Sequence, residues 1–317
     1  MFCRRNFFLE GWRFTFLRTA AGIHGYILLT ISEGVNVASD HRFKKTDWAL
    51  ILGASSGFGG ATAVELARHG MNICGVHFDR AVTLPNAEKV QKEVDAQGVQ
   101  SLFFNVNASD PEKRKEVVEG LKKESHSNPE FNLKVLMHSL AFGTLRPLVS
   151  KDIKEQMTQA QVEMTMDVMA NSLVYWTQAA FNAGLMKKGG RVYAMTSSGG
   201  HSQLPNYGAV SAAKAALESY IRQLTLDLGP HGITCNAIMA GVTDTAALRK
   251  IPGALMMLKV AAAKSPAMRN TTPEDVAKAI ALLSHDDAYF ISGNVIGVDG
   301  GEDVVSYIGQ KDALRLE

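Results

Sequence analysis

Short apolar runs alternate with longer stretches of helical spacing along most of the chain. The runs are WALILG, MNICGVHF, SLFFNV, LKVLMHS, GRVYAMTS, ITCNAI and NVIGV. Residues 59–69 and 87–96 are two of the intervening stretches with helical spacing. Apolar strands separated by helices are typical of a parallel sheet covered on both faces. We therefore expect one α/β domain, a doubly wound parallel sheet of about seven strands with its ligand crevice at their carboxyl ends.

This pattern begins abruptly at Trp48 and occupies residues 46–305, which we interpret as the folded domain. Residues 306–317 form a C-terminal tail. In residues 1–45, four arginines oppose a single glutamate over the first 30 positions, and several aromatic residues lie between them. This extension is typical of an organelle presequence, of a segment that touches a membrane, or of translation from an upstream start. We favour the last interpretation.

Composition narrows the classes of function. The chain has 317 residues, of which 46% are hydrophobic and 20% charged, and its net charge is +2. A charge so near zero argues against nucleic-acid binding, and no apolar run reaches the length of a membrane span. Cys3, Cys74 and Cys235 have neither metal-ligand spacing nor a disulfide framework. We expect a cytoplasmic protein without a metal, or an organellar one if the extension is a presequence.

A glycine-rich loop follows the first strand of the domain and opens its first helix. Glycines at three positions permit a tight turn, close approach of backbone to a pyrophosphate and close packing of the helix, whose N–H groups then meet the phosphates. A plain glycine-rich turn is the alternative, but the location between strand and helix favours a dinucleotide site. The candidate contacts are Gly53, Ser55, Ser56, Gly57, Phe58 and Gly59.

Tyr207 and Lys214 are seven residues apart in the run PNYGAVSAAKAALE, which favours helix. Seven residues make almost two turns, so both side chains project from one face, roughly 10 Å apart along the axis. A phenol there can donate a proton, while an ammonium holds a ligand or lowers the pKa of the phenol. A packed aromatic residue beside a solvated amine is the alternative.

The GxxxGxG loop together with Tyr207 and Lys214 resembles the short-chain dehydrogenase/reductase superfamily, from about Asp47 to about Val305. The resemblance implies a Rossmann-type fold, a nicotinamide cofactor and a homotetramer. It also implies roles for further residues. The Asn105–Val106 turn would contact adenine, Asn171 would support a proton-relay water, and Ser197 would be the active-site serine, for which a strand-end hydroxyl capping a loop is the alternative. The segment that would pass along the nicotinamide includes Gly241, Val242, Thr243 and Thr245.

Two departures from the common pattern of that superfamily narrow the resemblance. Most members have tyrosine four residues before the lysine, where this chain has Val210, and an Asn-Asn-Ala-Gly run where it has His138, Ser139, Leu140 and Ala141. Both departures resemble the enoyl-acyl-carrier-protein reductases. The LRPL and TDTAALRKIP segments are similar to the bacterial type III form, which also lacks the second tyrosine that type I enzymes carry at the position of Ser197.

This resemblance implies that NAD(P)H reduces a trans-2-enoyl thioester of acyl-carrier protein or CoA in fatty acid biosynthesis. Tyr207 would stabilise the enolate oxygen that develops, and Lys214 would hold the nicotinamide ribose. The seven-residue spacing shifts the phenol by nearly a turn, which is consistent with a role at an oxygen two carbons beyond the hydride acceptor. A 3-oxoacyl or other carbonyl reductase is the main alternative, and an inactive cofactor-sensing regulator is a remote one.

The choice of cofactor depends on the end of the second strand, where NAD enzymes of this fold usually carry an acid. His77 occupies that place and is followed by Asp79 and Arg80. Arg80 would meet the 2′-phosphate of NADPH, whereas Asp79 would bond the free hydroxyl of NADH. We favour NADPH. The resemblance also implies cofactor contacts at Ser139, Leu140 and Ala141.

The segment between Thr245 and Thr272 has an apolar face with no obvious sheet partner, and Thr272 is expected to cap the next helix. Flexible methionines in such a helix suit a lid over an acyl chain. An ordinary packed helix is the alternative. The residues of this face are Leu255, Met256, Met257, Leu258 and Val260.

Overall fold

The computed structural model describes residues 43–306 and three N-terminal strands. Contacts divide the chain into two units, residues 1–41 and residues 42–317. The first unit contains a small antiparallel sheet with the order β1-β2-β3, formed by β1 (Cys3–Leu9), β2 (Trp12–Arg18) and β3 (Leu28–Thr30). The rest of the expected N-terminal extension before residue 43, and the expected tail from residue 307 onward, lie outside the described residues.

The second unit is built on a seven-stranded sheet in which every pair of neighbouring strands is parallel. This confirms the Rossmann-type doubly wound fold expected from the apolar runs. The strand order is β10-β9-β8-β7-β4-β5-β6. The strands are β4 (Asp47–Leu52), β5 (Asn72–His77), β6 (Ser101–Asn105), β7 (Asn132–His138), β8 (Arg191–Thr196), β9 (Thr234–Ala240) and β10 (Val295–Val298).

Helices connect the strands of this sheet. They are α1 (Gly57–Arg68), α2 (Leu84–Asp95), α3 (Pro111–Ser127), α4 (Gln159–Met166), α5 (Ser172–Asn182), α6 (Gly208–Leu228), α7 (Ala254–Lys264) and α8 (Pro273–Leu283). The expected cap at Thr272 is present, because its side chain and that of Asp275 form a capping box at the start of α8. No helix among the described residues is long and apolar enough to cross a membrane.

Side chains of β4 alternate between two apolar cores, one on each face of the sheet. Leu50 and Leu52 are fully buried in the core that includes α3, α5 and α6. Ala49 and Ile51 are fully buried in the core that includes α1 and α8. Successive side chains of a strand point to opposite faces, so a continuous apolar run is required where both faces are covered.

The point where the winding reverses lies at β4, which is flanked by β5 on one side and β7 on the other. The loops that leave β4 and β7 therefore start beside each other. The Ser139 N–H donates to the carbonyl oxygen of Leu52 at 2.9 Å, and the Gly53 N–H donates to that of Val76 at 2.8 Å. Crevices at such reversal points bind ligands in open α/β sheets, which places the glycine-rich loop at the expected location.

Candidate active site

The glycine-rich loop is so tightly packed that it excludes side chains at two of its glycines. Gly53 has a φ of +92°, and a Cβ there would stand 2.5 Å from the carbonyl oxygen of Ser139. A Cβ on Gly59 would stand 2.2 Å from the carbonyl oxygen of Gly53. Ser56 precedes α1 without a side-chain cap. The first N–H groups of α1 therefore remain available to an anion, as a dinucleotide pyrophosphate requires.

The end of β5 is fixed by a network around Asp79. Its carboxylate lies 2.9 Å from Nδ1 of His77, and both side chains are almost fully buried. Asn105 holds the Asp79 backbone from both sides, accepting from its N–H at 2.9 Å and donating to its carbonyl at 3.0 Å. The N–H of Val106 donates to the carbonyl of His77 at 2.7 Å. Arg80 is exposed and makes no ion pair with any described residue.

A cleft of about 190 Å³ contains many of the expected site residues. It is mostly apolar, and loops after β4, β7, β8 and β9 contribute to its walls. The expected residues that line it are Phe58, Ala141, Ser197, Tyr207, Gly241, Val242, Thr243 and Thr245. The other expected residues, including Lys214 and Asn171, lie outside this lining, and several of them belong to the glycine-rich loop and the end of β5.

Other lining residues were not among the expected site residues, although four of them lie in the LRPL and TDTAALRKIP segments. Val210 was discussed above only as the position that lacks the common tyrosine. The Gly199–Gly200 pair, which follows Ser197 and Ser198, could have indicated close approach of another group at Gly199. The unexpected lining residues include Gly143, Leu145, Met169, Thr196, Ser198, Gly199, Leu204, Val210, Leu248, Lys250 and Ile251.

Tyr207 is the cap residue that immediately precedes α6, not a residue within the helix as the pattern predicted. Its ring lies against Gly199, where an added Cβ would stand 2.6 Å from Cε1 of the tyrosine. Burial raises the pKa of Tyr207, and the nearby Ser197 hydroxyl opposes that shift. Ser197 Oγ is itself buried and has no hydrogen bond of good geometry to any described residue. The phenol is thus a protonated donor beside a hydroxyl that is available to a ligand.

Lys214 lies inside α6 and is almost fully buried. Its Nζ donates to the carbonyl oxygen of Met195, at the end of β8, at 2.6 Å. Burial lowers the pKa of Lys214 to about 8, and the Glu218 carboxylate opposes that shift. Glu218 also accepts a hydrogen bond from Oγ1 of Thr196 at 2.6 Å. The ammonium is therefore held at the carboxyl end of β8, next to Thr196 and the serine that follows it.

Asn171 ends a short π-helical segment, Asp167–Asn171, that joins α4 to α5. Its Oδ1 accepts a hydrogen bond from the hydroxyl of Tyr220 in α6 at 2.9 Å. Segments of π-helix occur often at functional sites, because the wider turn displaces backbone groups from the regular helix. Tyr220 was not expected, since nothing in its local sequence pattern connects it to Asn171.

His138 is completely buried at the end of β7. Its Nε2 lies 2.8 Å from Oγ of Ser172, the first residue of α5. Burial, together with the positive charge of Lys214, lowers the pKa of His138 to about 3. The imidazole is therefore neutral at physiological pH, and it adds no second positive charge beside Lys214.

The expected lid forms helix α7, whose apolar residues are divided between cleft and solvent. Met257 lines the cleft. Leu255 is 76% exposed and Met256 is 44% exposed. Phe142 and Leu148, in the segment that follows β7, are more than half exposed. Ala141, Gly143 and Leu145 of the same segment line the cleft.

Comparison with known proteins agrees with this geometry. A family model described as Enoyl-(Acyl carrier protein) reductase matches residues 53–302. The chain belongs to this family of short-chain dehydrogenases/reductases. This confirms the resemblance and identifies the protein as a nicotinamide-dependent oxidoreductase of the enoyl-reductase-like type.

The similar proteins include enoyl-acyl-carrier-protein reductases and other short-chain dehydrogenases/reductases. The NADH-dependent enoyl-acyl-carrier-protein reductase FabI of Nostoc sp. is 34% identical over 55% of this chain and 66% of its own length. A short-chain dehydrogenase/reductase of Pestalotiopsis microspora is 27% identical over 80% of this chain and 94% of its own. The crystal structure of the Anaplasma phagocytophilum enoyl-acyl-carrier-protein reductase in complex with NAD has the same fold. It is 23% identical, with a TM-score of 0.69, over 85% of this chain and 96% of that one.

Proposed function

We propose that this protein reduces trans-2-enoyl thioesters with NAD(P)H. The observation that carries the proposal is the location of Tyr207, whose phenol lines the cleft and lies beside the buried hydroxyl of Ser197. Val210 also lines the cleft, so the position four residues before Lys214 offers no hydroxyl donor. Tyr207 is the one tyrosine among the described residues that line the cleft.

The residues of the site fit a bound nicotinamide cofactor. Gly53 and Gly59 allow the tight packing of the glycine-rich loop, and the start of α1 lacks a side-chain cap, so its first N–H groups can bind a pyrophosphate. When bound, the cofactor supplies a hydride to the β-carbon of the conjugated double bond. Tyr207 would donate a hydrogen bond to the thioester oxygen as negative charge develops there. Lys214 would bind the ribose hydroxyls and add positive charge to the same site.

The raised pKa of Tyr207 supports this role, because the phenol remains protonated at physiological pH. A hydrogen-bond donor aimed at a developing oxyanion stabilises the transition state more than the ground state. Ser197 would bind the same oxygen or the carboxamide of the cofactor, because its hydroxyl lies beside the phenol of Tyr207.

The walls of the cleft support an acyl substrate. Met169, Leu204, Leu248, Ile251 and Met257 line it and offer no charge to a ligand. An apolar ligand gains about 25 cal/mol for each Å² of its surface removed from water, so every buried methylene adds affinity. The thioester of acyl-carrier protein or CoA is the proposed substrate class.

For the cofactor we propose NADPH, with NADH as the alternative. The carboxylate of Asp79 is engaged by His77 at 2.9 Å, which reduces its capacity to bond a free ribose hydroxyl. Arg80 is exposed and has no described ion-pair partner, so its guanidinium is free to pair with a 2′-phosphate.

A 3-oxoacyl or other carbonyl reductase remains the second candidate function, because the Pestalotiopsis relative is a general short-chain dehydrogenase/reductase. Crotonyl-CoA and longer enoyl thioesters should be assayed against acetoacetyl-CoA with both cofactors. Preferential turnover of the enoyl substrates supports the proposal, and turnover of acetoacetyl-CoA alone contradicts it. Cofactor binding without turnover of either class would instead support the inactive regulator.

A further inference from the structure

We propose that Asn206 is a positioning residue whose left-handed backbone conformation aims the phenol of Tyr207. Asn206 has a φ of +64° and directly precedes Tyr207. The proposal rests on the role of Tyr207 as donor, which is part of the proposed function. It adds that this donor is placed by a backbone turn and not by side-chain contacts of residue 206.

The conformation is unusual within the described part of the chain. Asn206 and Met268 are the only residues there other than glycine with positive φ. Asparagine adopts this region more easily than most residues, because its short polar side chain tolerates the crowding. The side chain of Asn206 makes no hydrogen bond to any described residue. Its contribution is therefore its backbone.

The turn at Asn206 is held at both of its ends. The Tyr207 N–H donates to the carbonyl of Leu204 at 3.2 Å, which closes the turn. The Tyr207 carbonyl then accepts from the N–H of Ser211 at 2.8 Å, which starts α6. With both ends fixed, φ of residue 206 sets the direction in which the tyrosine side chain leaves the backbone.

The surface beneath the Tyr207 ring leaves little space for the ring to move. Gly199 has no space for a Cβ, which would stand 2.6 Å from the tyrosine ring and 3.1 Å from Oγ of Ser197. The hydroxyl of Ser211 donates to the carbonyl of Gly199, and Gln203 donates to Ser211 Oγ at 3.0 Å. The ring and the loop under it thus share one network, so a change of φ at residue 206 moves the phenol away from Ser197.

Substitutions of Asn206 distinguish the effect of its backbone conformation from that of its side chain. Glycine adopts positive φ freely, whereas a β-branched residue strongly disfavours it. Asn206→Gly should retain kcat within about threefold, and Asn206→Val should lower it at least tenfold. Each variant should bind NADPH with a Kd within about twofold of the wild-type value, which also reports that it is folded. Met268→Val, at the other positive φ, is the matched control and should leave kcat unchanged.

A double-mutant cycle tests whether Asn206 acts through the phenol. In a Tyr207→Phe background, Asn206→Val should lower the residual kcat by less than about twofold. An equal loss in both backgrounds, or a glycine variant as poor as the valine variant, overturns the proposal. If the valine variant fails to bind cofactor, the ratio of kcat between Asn206→Gly and Asn206→Ala decides, and a ratio near one overturns it.

The measurements use whichever thioester the wild-type enzyme turns over. Failure of the proposed function appears as a change of preferred substrate in the wild-type protein, while failure of this inference appears only among the Asn206 variants. The two outcomes are therefore distinguishable.

Discussion

The backbone of Gly59 is in contact with the carbonyl group of Gly53, and a Cβ on Gly59 would stand 2.2 Å from that oxygen. Gly59→Ala must therefore displace the turn that approaches the cofactor. We expect loss of detectable cofactor binding, measured by quenching of nicotinamide fluorescence. Gly229→Ala is the control, because a Cβ there meets no atom within 4 Å and its φ is not positive. Unchanged affinity in Gly59→Ala would show that the loop does not hold the pyrophosphate.

Tyr207→Phe removes the proposed hydrogen-bond donor and keeps the ring that packs on Gly199. We expect kcat to fall more than about tenfold, since a single donor to a developing oxyanion contributes at least that much. The Kd for cofactor should change little, because the phenol acts on the thioester. Steady-state kinetics together with equilibrium binding measure both quantities. Full activity of the variant would refute the assignment.

Lys214 should make cofactor binding depend on pH, since burial lowers its pKa to about 8. The charged form predominates below that pH and is lost above it, so affinity should fall as pH rises. If only the ammonium holds the ribose, the Kd should increase about tenfold between pH 7 and pH 9. Titrations across this range would reveal the step. Lys214→Arg should abolish it, because arginine stays charged, and a step that persists in that variant has another origin.

His138 should make the folded state sensitive to acid. Its pKa falls from 6.5 to about 3 on folding, so the unfolded state binds the proton more tightly. The contribution of His138 to the free energy of unfolding should level off above about pH 7.5 and decrease below it, by about 1 kcal/mol between pH 7 and pH 5.5. Urea denaturation at the two pH values measures the difference. His138→Gln should reduce that difference, and an undiminished difference in that variant would assign the acid sensitivity to other groups.

Arg80 should discriminate between the two cofactors. Arg80→Ala should raise the KM for NADPH several-fold, because a charge-assisted pair with the 2′-phosphate is lost, and it should spare NADH. Each cofactor serves as the control for the other in the same preparation. Equal effects on both would remove Arg80 from the cofactor site.

The features that the sequence predicted correctly depend on short stretches of chain. Apolar runs define the strands because each is buried on both faces, and the GxxxGxG loop is local to the end of β4. Tyr207 and Lys214 were proposed as site residues because they lie seven residues apart within a single run of 14 residues. The one local error concerns Tyr207, which precedes α6 because Asn206 adopts positive φ and ends regular extension of the helix toward the N-terminus.

The features that were missed depend on partners distant in sequence. Tyr220 reaches Asn171 across 49 positions, and His138 reaches Ser172 across 34. Apolar residues such as Met169 and Leu248 line the cleft only because separate loops meet at the carboxyl edge of the sheet. Periodicity specifies which face of an element is buried, but not which other element covers it.

The Leu204–Tyr207 turn and the start of α6 immediately after it separate a stretch that tolerates changes of length from one that does not. Residues 201–203 precede this turn, and an inserted residue there leaves the hydrogen bond from Tyr207 to Leu204 in place. Between Tyr207 and Lys214 the chain is helical, and removing one residue would rotate the lysine by about 100° around the axis. The interval between the two residues is thus fixed in length, whereas the loop that leads into the Leu204–Tyr207 turn is not.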